Sequence, residues 1–179
     1  MPKLVLSIAT AVALAIVGVA LAGSTGTTYS YRATMSPGGE VPKPKAPVGA
    51  RGVFTATVTE SGSTRTITWK LTFSGLSGKA VAAHIHKGKA GVAGAVIVPL
   101  CGPCRSGQTG KLKVSKNTAD VLERGGAYVN VHTAKNAAGE IRGQVKLLSH
   151  VSSSTPTPDP GTATTPTDPP GYGGPPPGY

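Results

Sequence analysis

A strict alternation of apolar and polar side chains at residues 65–73 constrains the fold more than any other feature of the chain. Ile67, Trp69, Leu71 and Phe73 fall on one side of an extended backbone, and threonines and a lysine fall on the other. Successive side chains of a β-strand point to opposite faces, so a period of two is typical of an antiparallel sheet with one buried face. The segment therefore predicts a half-buried β-strand.

Similar short segments recur along the chain and are separated by turns. Extended segments are predicted at residues 29–35, 51–60, 65–73, 81–87, 95–100, 109–114, 127–133 and 141–147. Residues 36–49 contain four prolines, which cannot donate to a strand ladder, and are predicted to form a loop. A brief helix is expected from Asn117, its N-cap, to Glu123 or Arg124. About eight short strands predict an all-β antiparallel sandwich with an immunoglobulin-like or superoxide-dismutase-like Greek key.

The two ends of the chain differ in composition from the centre. Residues 1–22 combine a short basic start with an apolar run that ends in Ala20-Leu21-Ala22, the pattern of a cleaved secretory signal peptide. The 19-residue run is also long enough for an uncleaved membrane anchor, which is the second interpretation. Residues 23–28 are a short lead, and residues 29–150 are the predicted domain.

Residues 151–179 are predicted to be a disordered tail rich in proline, threonine and glycine. This segment holds nine of the sixteen prolines and almost no aliphatic side chain. Such a composition buries too little apolar surface to offset the entropy lost on ordering. The tail is interpreted as a passive spacer.

Two histidines two residues apart are the most chemically suggestive feature of the sequence. His84 and His86 share one face of a predicted strand, with Cα atoms ~6.6 Å apart, while Val81, Ala83 and Ile85 share the other. The segment 127–133 alternates in the same way and places His132 with Tyr128 and Asn130.

Four motifs in this region occur in a recognisable order and spacing. They are AHIHKGKAGVAG at residues 83–94, VIVPL at 96–100, LERGGAYVNVHT at 122–133 and GEIRGQV at 139–145. Together they resemble the CHRD domain, the module named after chordin, and Gly39-Glu-Val-Pro42 resembles the usual opening of that family. The similarity covers roughly residues 28–148. It implies an extracellular β-sandwich and little chemistry, and it places all three histidines in motifs without assigning them a role.

The three histidines allow two interpretations. Imidazoles from two strands are suited to bind copper or zinc with a fourth position open. Alternatively, each ring belongs to a buried polar network and bonds neighbouring backbone, Asn130, Thr133 or Glu140. Arg142 is expected to pair with Glu140 or to hold the loop of His132, as a structural contact.

Cys101 and Cys104 are separated by Gly-Pro, the spacing of a thioredoxin active site. In that site the first cysteine lies at a helix N-terminus, whereas here the residues after Cys104 are not helical in pattern. With export predicted, a structural disulfide is the expected state. No nucleophile with an assigned base emerges, so no catalytic set is identified and the protein is not expected to be an enzyme.

The net positive charge of the chain indicates which classes of partner it can attract. Of 18 Lys and Arg, only Lys3 lies in the predicted signal, so 17 bases face 7 acids and the net charge is near +10. Such a domain is attracted to anionic surfaces, although a basic surface also simply keeps a protein soluble. The sequence therefore predicts a secreted, non-catalytic module that binds anionic polymers of the cell envelope or matrix, or an extracellular protein, and no specific nucleic acid. The alternative is an extracellular copper- or zinc-binding protein.

Overall fold

A computed structural model of the protein describes residues 26–153, which form two antiparallel β-sheets packed face to face. The strands are β1 (Gly26–Met35), β2 (Arg51–Ser61), β3 (Thr64–Ser74), β4 (Ala80–Lys87), β5 (Val96–Cys101), β6 (Gln108–Lys113), β7 (Ala127–Thr133), β8 (Ile141–Gln144) and β9 (Lys146–Ser153). One sheet has the order β6-β3-β2-β1-β9 and the other β5-β4-β7-β8. The predicted all-β sandwich is confirmed, with nine strands in the described part of the chain.

The core lies between the two sheets and is built from the inward half of each alternating strand. Phe54, Ile67 and Leu71 from the five-stranded sheet meet Ile85 and Val129 from the four-stranded sheet, and all five side chains are fully buried. Their alternation with polar neighbours is what fixes the strand register, because a slip of one residue would turn every apolar side chain to the outside.

The closing segment, predicted as one strand at residues 141–147, forms two strands in different sheets. β8 pairs with β7, whereas β9 pairs with β1. The change occurs at Val145, which is fully buried and donates its backbone N–H to Ala127 O. The predicted alternation of side chains holds across this point, so periodicity alone does not reveal the crossing.

Two further predictions need correction. Val81 does not share a face with Ala83 and Ile85, because an irregularity in the pairing of β4 with β7 between Ala80 and Ala82 leaves Val81 45% exposed. The helix α1 (Lys116–Glu123) is capped by Ser115, whose hydroxyl accepts the backbone N–H of Thr118, and not by Asn117.

Strand pairing extends beyond residues 29–150 at both ends. β1 begins at Gly26, and its first residues pair with the end of β9 at Ser153. The predicted signal peptide and most of the predicted tail lie outside the described residues. No helix within residues 26–153 is long and apolar enough to cross a membrane.

Candidate functional site

The outward face of the four-stranded sheet carries polar side chains that are largely buried. We call this set the polar layer: His84 and His86 on β4, Tyr128, Asn130 and His132 on β7, and Arg142 and Gln144 on β8. The register aligns His84 with Asn130 and Arg142, and His86 with Tyr128 and Gln144. Alternation therefore places polar groups in rows across three strands, on the opposite face from the core.

Loops cover the polar layer and are held to it by hydrogen bonds. Arg142 Nη2 donates to Lys89 O and Val92 O, both at 2.9 Å, and Gln144 Nε2 donates to Gly88 O at 2.6 Å. At Gly94, a Cβ atom would overlap the Lys87 carbonyl, so the loop approaches β4 as closely as only glycine permits. The glycine-rich motif after the histidines thus covers His86, Tyr128, Arg142 and Gln144.

The three histidines meet within this layer. His84 Nδ1 lies 3.1 Å from His132 Nε2, and one ligand nitrogen from each of His84, His86 and His132 lies within 4.8 Å of the others. The structure thus brings together rings that are 48 residues apart in the chain.

Main-chain carbonyls fix the tautomers of two of the rings. His86 Nδ1 lies 2.8 Å from Gly94 O, and His132 Nδ1 lies 2.9 Å from Ala137 O. A carbonyl only accepts, so each ring carries its proton on Nδ1 and presents a lone pair on Nε2. These bonds to backbone agree with one part of the network interpretation, whereas no hydrogen bond within residues 26–153 joins a ring to the side chain of Asn130, Thr133 or Glu140.

The electrostatic surroundings of His84 and His132 favour their neutral forms. Burial lowers the pKa of His84, and the neighbouring His132 and His86 lower it further. Burial also lowers the pKa of His132, against the opposing effect of its bond to Ala137. His86 Nε2 is buried and has no hydrogen-bond partner among residues 26–153. Neutral imidazole is the form in which histidine binds metal ions.

Arg142 belongs to the polar layer, where its side chain bonds the loop at residues 89–92 and not Glu140 or the loop of His132, the two predicted partners. Its guanidinium carbon lies 3.3 Å from the centre of the Tyr128 ring, and the Tyr128 ring stacks on His86 at 4.8 Å with an interplanar angle of 6°. The stack fixes the orientation of His86 through Tyr128. Arg142 therefore has a positioning role in this layer.

Glu140 forms a separate network at the start of β8. Its carboxylate accepts bonds from Ser77 Oγ at 2.5 Å, Thr133 Oγ1 at 2.6 Å and Asn136 Nδ2 at 3.0 Å. Burial alone would raise the pKa of Glu140, but these bonds outweigh it and the pKa is lowered. Of the four predicted network residues, Thr133 and Glu140 lie here, whereas Asn130 and Arg142 lie in the polar layer.

Glu40 is a site residue that reasoning from the sequence missed. Its side chain is 3% exposed and lies against Gly139, where a Cβ atom would overlap the carboxylate. Burial raises the pKa of Glu40 to about 7, although Arg142 and a hydrogen bond from Asn130 oppose the shift. The available signal was the Gly39-Glu-Val-Pro42 motif, which carries part of the family resemblance.

Cys101 and Cys104 form the predicted disulfide. Cys101 is the last residue of β5, and the loop that follows leads to β6 without an intervening helix. The arrangement lacks the helix N-terminus that activates the first cysteine of a thioredoxin site. The disulfide thus closes a loop at the edge of the four-stranded sheet.

Comparison with known proteins decides the family. The sequence model of the CHRD domain matches residues 31–145. The chain belongs to the CHRD domain family. The comparisons with curated proteins and with solved structures gave no match. This CHRD domain has all three histidines inside the matched region, and the family supports a non-catalytic module in general.

Proposed function

We propose that this CHRD domain is a non-catalytic, extracellular binding module that is held on anionic polymers of the cell envelope or matrix by its basic surface. The observation that carries the proposal is an excess of exposed bases. Residues 26–153 contain 17 Lys and Arg, of which all but Arg65 and Arg142 are exposed, against five acids. Two of the acids, Glu40 and Glu140, are buried, and only two ion pairs form among the described residues.

The charge excess favours long polyanions over small ligands. Fourteen exposed bases have no acidic partner within the described part of the chain, so each carries a largely uncompensated field. Attraction between exposed charges is screened over ~8 Å at 0.15 M salt. A polymer that touches several bases at once gains several such contacts, whereas a single small anion gains one.

The test is the binding of the purified full chain to an immobilised polyuronate at low and at physiological ionic strength. Binding is expected to weaken steeply between the two conditions, since exposed charges supply it. A neutral polymer such as dextran serves as the control and should not bind. Equal binding at both ionic strengths, or none at either, would remove the basis of the proposal.

A metal centre at His84, His86 and His132 is the second candidate function. The specific observation is that His86 and His132 both donate Nδ1–H to loop carbonyls, the outer contact that metal-bound histidines usually make. The His84–His132 nitrogen separation of 3.1 Å is close to the ~3.3 Å edge of a tetrahedron with ~2.0–2.1 Å metal–nitrogen bonds. For His86 to reach the same metal ion as His84 and His132, its ring would have to shift by about 1–1.5 Å.

The donor set favours copper or zinc over harder cations. Three neutral imidazoles suit both metals, whereas magnesium and calcium prefer oxygen ligands. The proton between His84 Nδ1 and His132 Nε2 would move to His84 Nε2 when an ion takes its place. We expect one copper or zinc ion per chain.

Elemental analysis after reconstitution and dialysis tests the second candidate. His84→Ala and His132→Ala should abolish binding. His150→Ala should retain it, because His150 lies on β9 and forms a tilted ring pair with Tyr29 away from the polar layer. Cys101→Ser should retain it as well. A wild-type protein without metal, or loss of metal in the His150 variant alone, would leave the three rings as a hydrogen-bonded network.

A further inference from the structure

The outward face of the five-stranded sheet is formed mainly by hydroxyl and basic side chains, with Val53, Leu148 and Val151 as apolar members. The hydroxyls are Thr28, Ser30, Thr34, Thr55, Thr57, Thr59, Thr66, Thr68, Thr72, Thr109 and Ser149, and the bases are Arg32, Arg51, Lys70, Lys111, Lys113 and Lys146. Strand pairing spaces neighbouring side chains ~4.8 Å apart across the sheet and ~6.6 Å apart along it. The face is thus a rigid two-dimensional array of hydrogen-bonding groups and positive charges. We call it the hydroxyl face.

No acidic residue occupies an outward position on these five strands within residues 26–153. The one acid on β2, Glu60, points to the inward side, where it pairs with Arg65 at 2.6 Å. The bases of the hydroxyl face therefore have no partner in their own sheet. Six of the fifteen exposed bases of residues 26–153 therefore share one face on which no acid compensates them.

Two of the bases repel each other directly. Arg32 on β1 is the cross-strand partner of Lys146 on β9, and both are exposed. Like charges placed opposite each other in an antiparallel pair destabilise a sheet. Lys70 lies in the same row, two strands beyond Arg32. This arrangement weakens the free protein and would be relieved by an anionic chain that runs across the strands.

A shallow, open depression lies on the hydroxyl face, and we call it the trough. Its larger part, of ≈ 400 Å³, is lined by Ser30, Thr55, Thr57, Thr68, Lys70 and Leu148 among others. A second part of ≈ 180 Å³ shares Leu148 with the first and is lined by Arg32 and Lys146. The two parts follow the row of bases, so charge and shape define the same path across the sheet.

We infer that the trough binds an acidic polysaccharide, a chain that carries carboxylate or sulfate groups among its hydroxyls. The inference rests on the proposed binding of anionic polymers and assigns that binding to one face and one ligand class. The bases match the acidic groups, and the threonine hydroxyls donate and accept bonds with the sugar hydroxyls. No outward position of these strands is aromatic in the described residues, so charge and hydrogen bonds replace the stacking that neutral sugars require.

The test compares two charge-matched variants of the full chain for binding to polygalacturonate. The face variant combines Arg32→Gln, Lys70→Gln and Lys146→Gln. The control variant combines Lys43→Gln, Lys45→Gln and Lys135→Gln, three exposed bases in loops away from the trough. The face variant should lose at least tenfold in affinity and the control less than twofold. Thermal unfolding verifies that both are folded.

A third variant separates sugar recognition from charge alone. Thr55→Val, Thr57→Val and Thr68→Val remove hydroxyls but keep the β-branched shape. This variant should lose several-fold in affinity for polygalacturonate and nothing in affinity for inorganic polyphosphate.

If the face and control variants lose affinity equally, the trough is not the binding site, but the proposed function is unaffected. Unchanged binding by the threonine variant would exclude recognition of the sugar hydroxyls and indicate a surface that binds polyanions in general. Absence of wild-type binding to any polyanion would contradict the proposed function itself.

Discussion

Glu40 shows how one side chain depends on several parts of the fold. It follows the short helix Pro37–Gly39, and its carboxyl is enclosed by Gly139, Asn130 and Arg142. Burial raises its pKa to about 7 despite the nearby guanidinium. A carboxyl whose pKa is raised on folding stabilises the folded state below its unfolded pKa, and this contribution is lost as the pH rises through the folded value.

Glu40→Gln should therefore change how stability depends on pH. Glutamine resembles the protonated carboxyl and does not ionise. The free energy of unfolding of the variant, relative to wild type, should therefore increase by roughly 1–2 kcal/mol as the pH rises from 5 to 8, after allowance for solvent screening. Urea denaturation at the two pH values measures the difference. A difference that does not vary with pH would show that Glu40 ionises as readily as an exposed carboxyl.

The lowered pKa values of His84 and His132 predict an opposite trend for metal binding. Both rings are neutral in the folded protein at pH 7, and acid must protonate them before metal is lost. Because these pKa values are lowered, the loss of copper or zinc affinity should lie below the ordinary histidine pKa of ~6.5 and reach at least tenfold between pH 7.5 and pH 4.5, where protons compete with the ion for the rings. Competition with a chromogenic chelator at both pH values measures this. Constant affinity would place the ion elsewhere.

At the scale of elements, the contact between β8 and β1 joins the two sheets. β8 belongs to the four-stranded sheet, but Gly143 lies directly against the main chain of Thr34 on β1. Isolated bridge pairing of Ser36 with Arg142 continues this contact. The chain then crosses at Val145 into β9, so Gly143 is where the corner of the sandwich closes.

Gly143→Ala should destabilise the domain by about 1–3 kcal/mol, because the added methyl would overlap the Thr34 carbonyl and backbone cannot move aside cheaply. Gly78→Ala is the matched control. Its added methyl meets no atom within 4 Å, and we expect a change within about 0.5 kcal/mol. Chemical denaturation of both variants provides the measurement, and equal stability would mean that the corner is loosely packed.

Patterns within one strand predict which side chains face the core, but they do not predict contacts between segments that are distant in sequence. The alternation of apolar and polar residues predicts that Ile67, Trp69 and Leu71 lie in the core, and the spacing of the histidines predicts that His84 and His86 share one face. Both predictions agree with the structure. The crossing at Val145 is invisible to periodicity, since the alternation continues through it. One partner of Glu140, Ser77, lies 63 residues away, and Glu40 is buried against the likewise remote Gly139, so no local pattern predicts these contacts.

At the scale of the whole molecule, the two outward faces of the sandwich have different characters. Loops cover the four-stranded sheet and enclose the polar layer, whereas the hydroxyl face of the five-stranded sheet lies open. The hydrophobic core separates the polar layer from the hydroxyl face. Loading the histidines with copper or zinc should therefore change polygalacturonate affinity less than twofold, and a larger change in a paired titration would indicate coupling between the sheets.

The salt dependence of polymer binding tests the central claim most directly. Association constants of the full chain with polygalacturonate, measured at several salt concentrations, should fall linearly on a double-logarithmic plot because each base that contacts the polymer releases a counterion. The slope should become markedly less steep in the Arg32, Lys70 and Lys146 variant and stay unchanged in the Lys43, Lys45 and Lys135 control. A wild-type slope near zero would contradict electrostatic binding of anionic polymers by this CHRD domain.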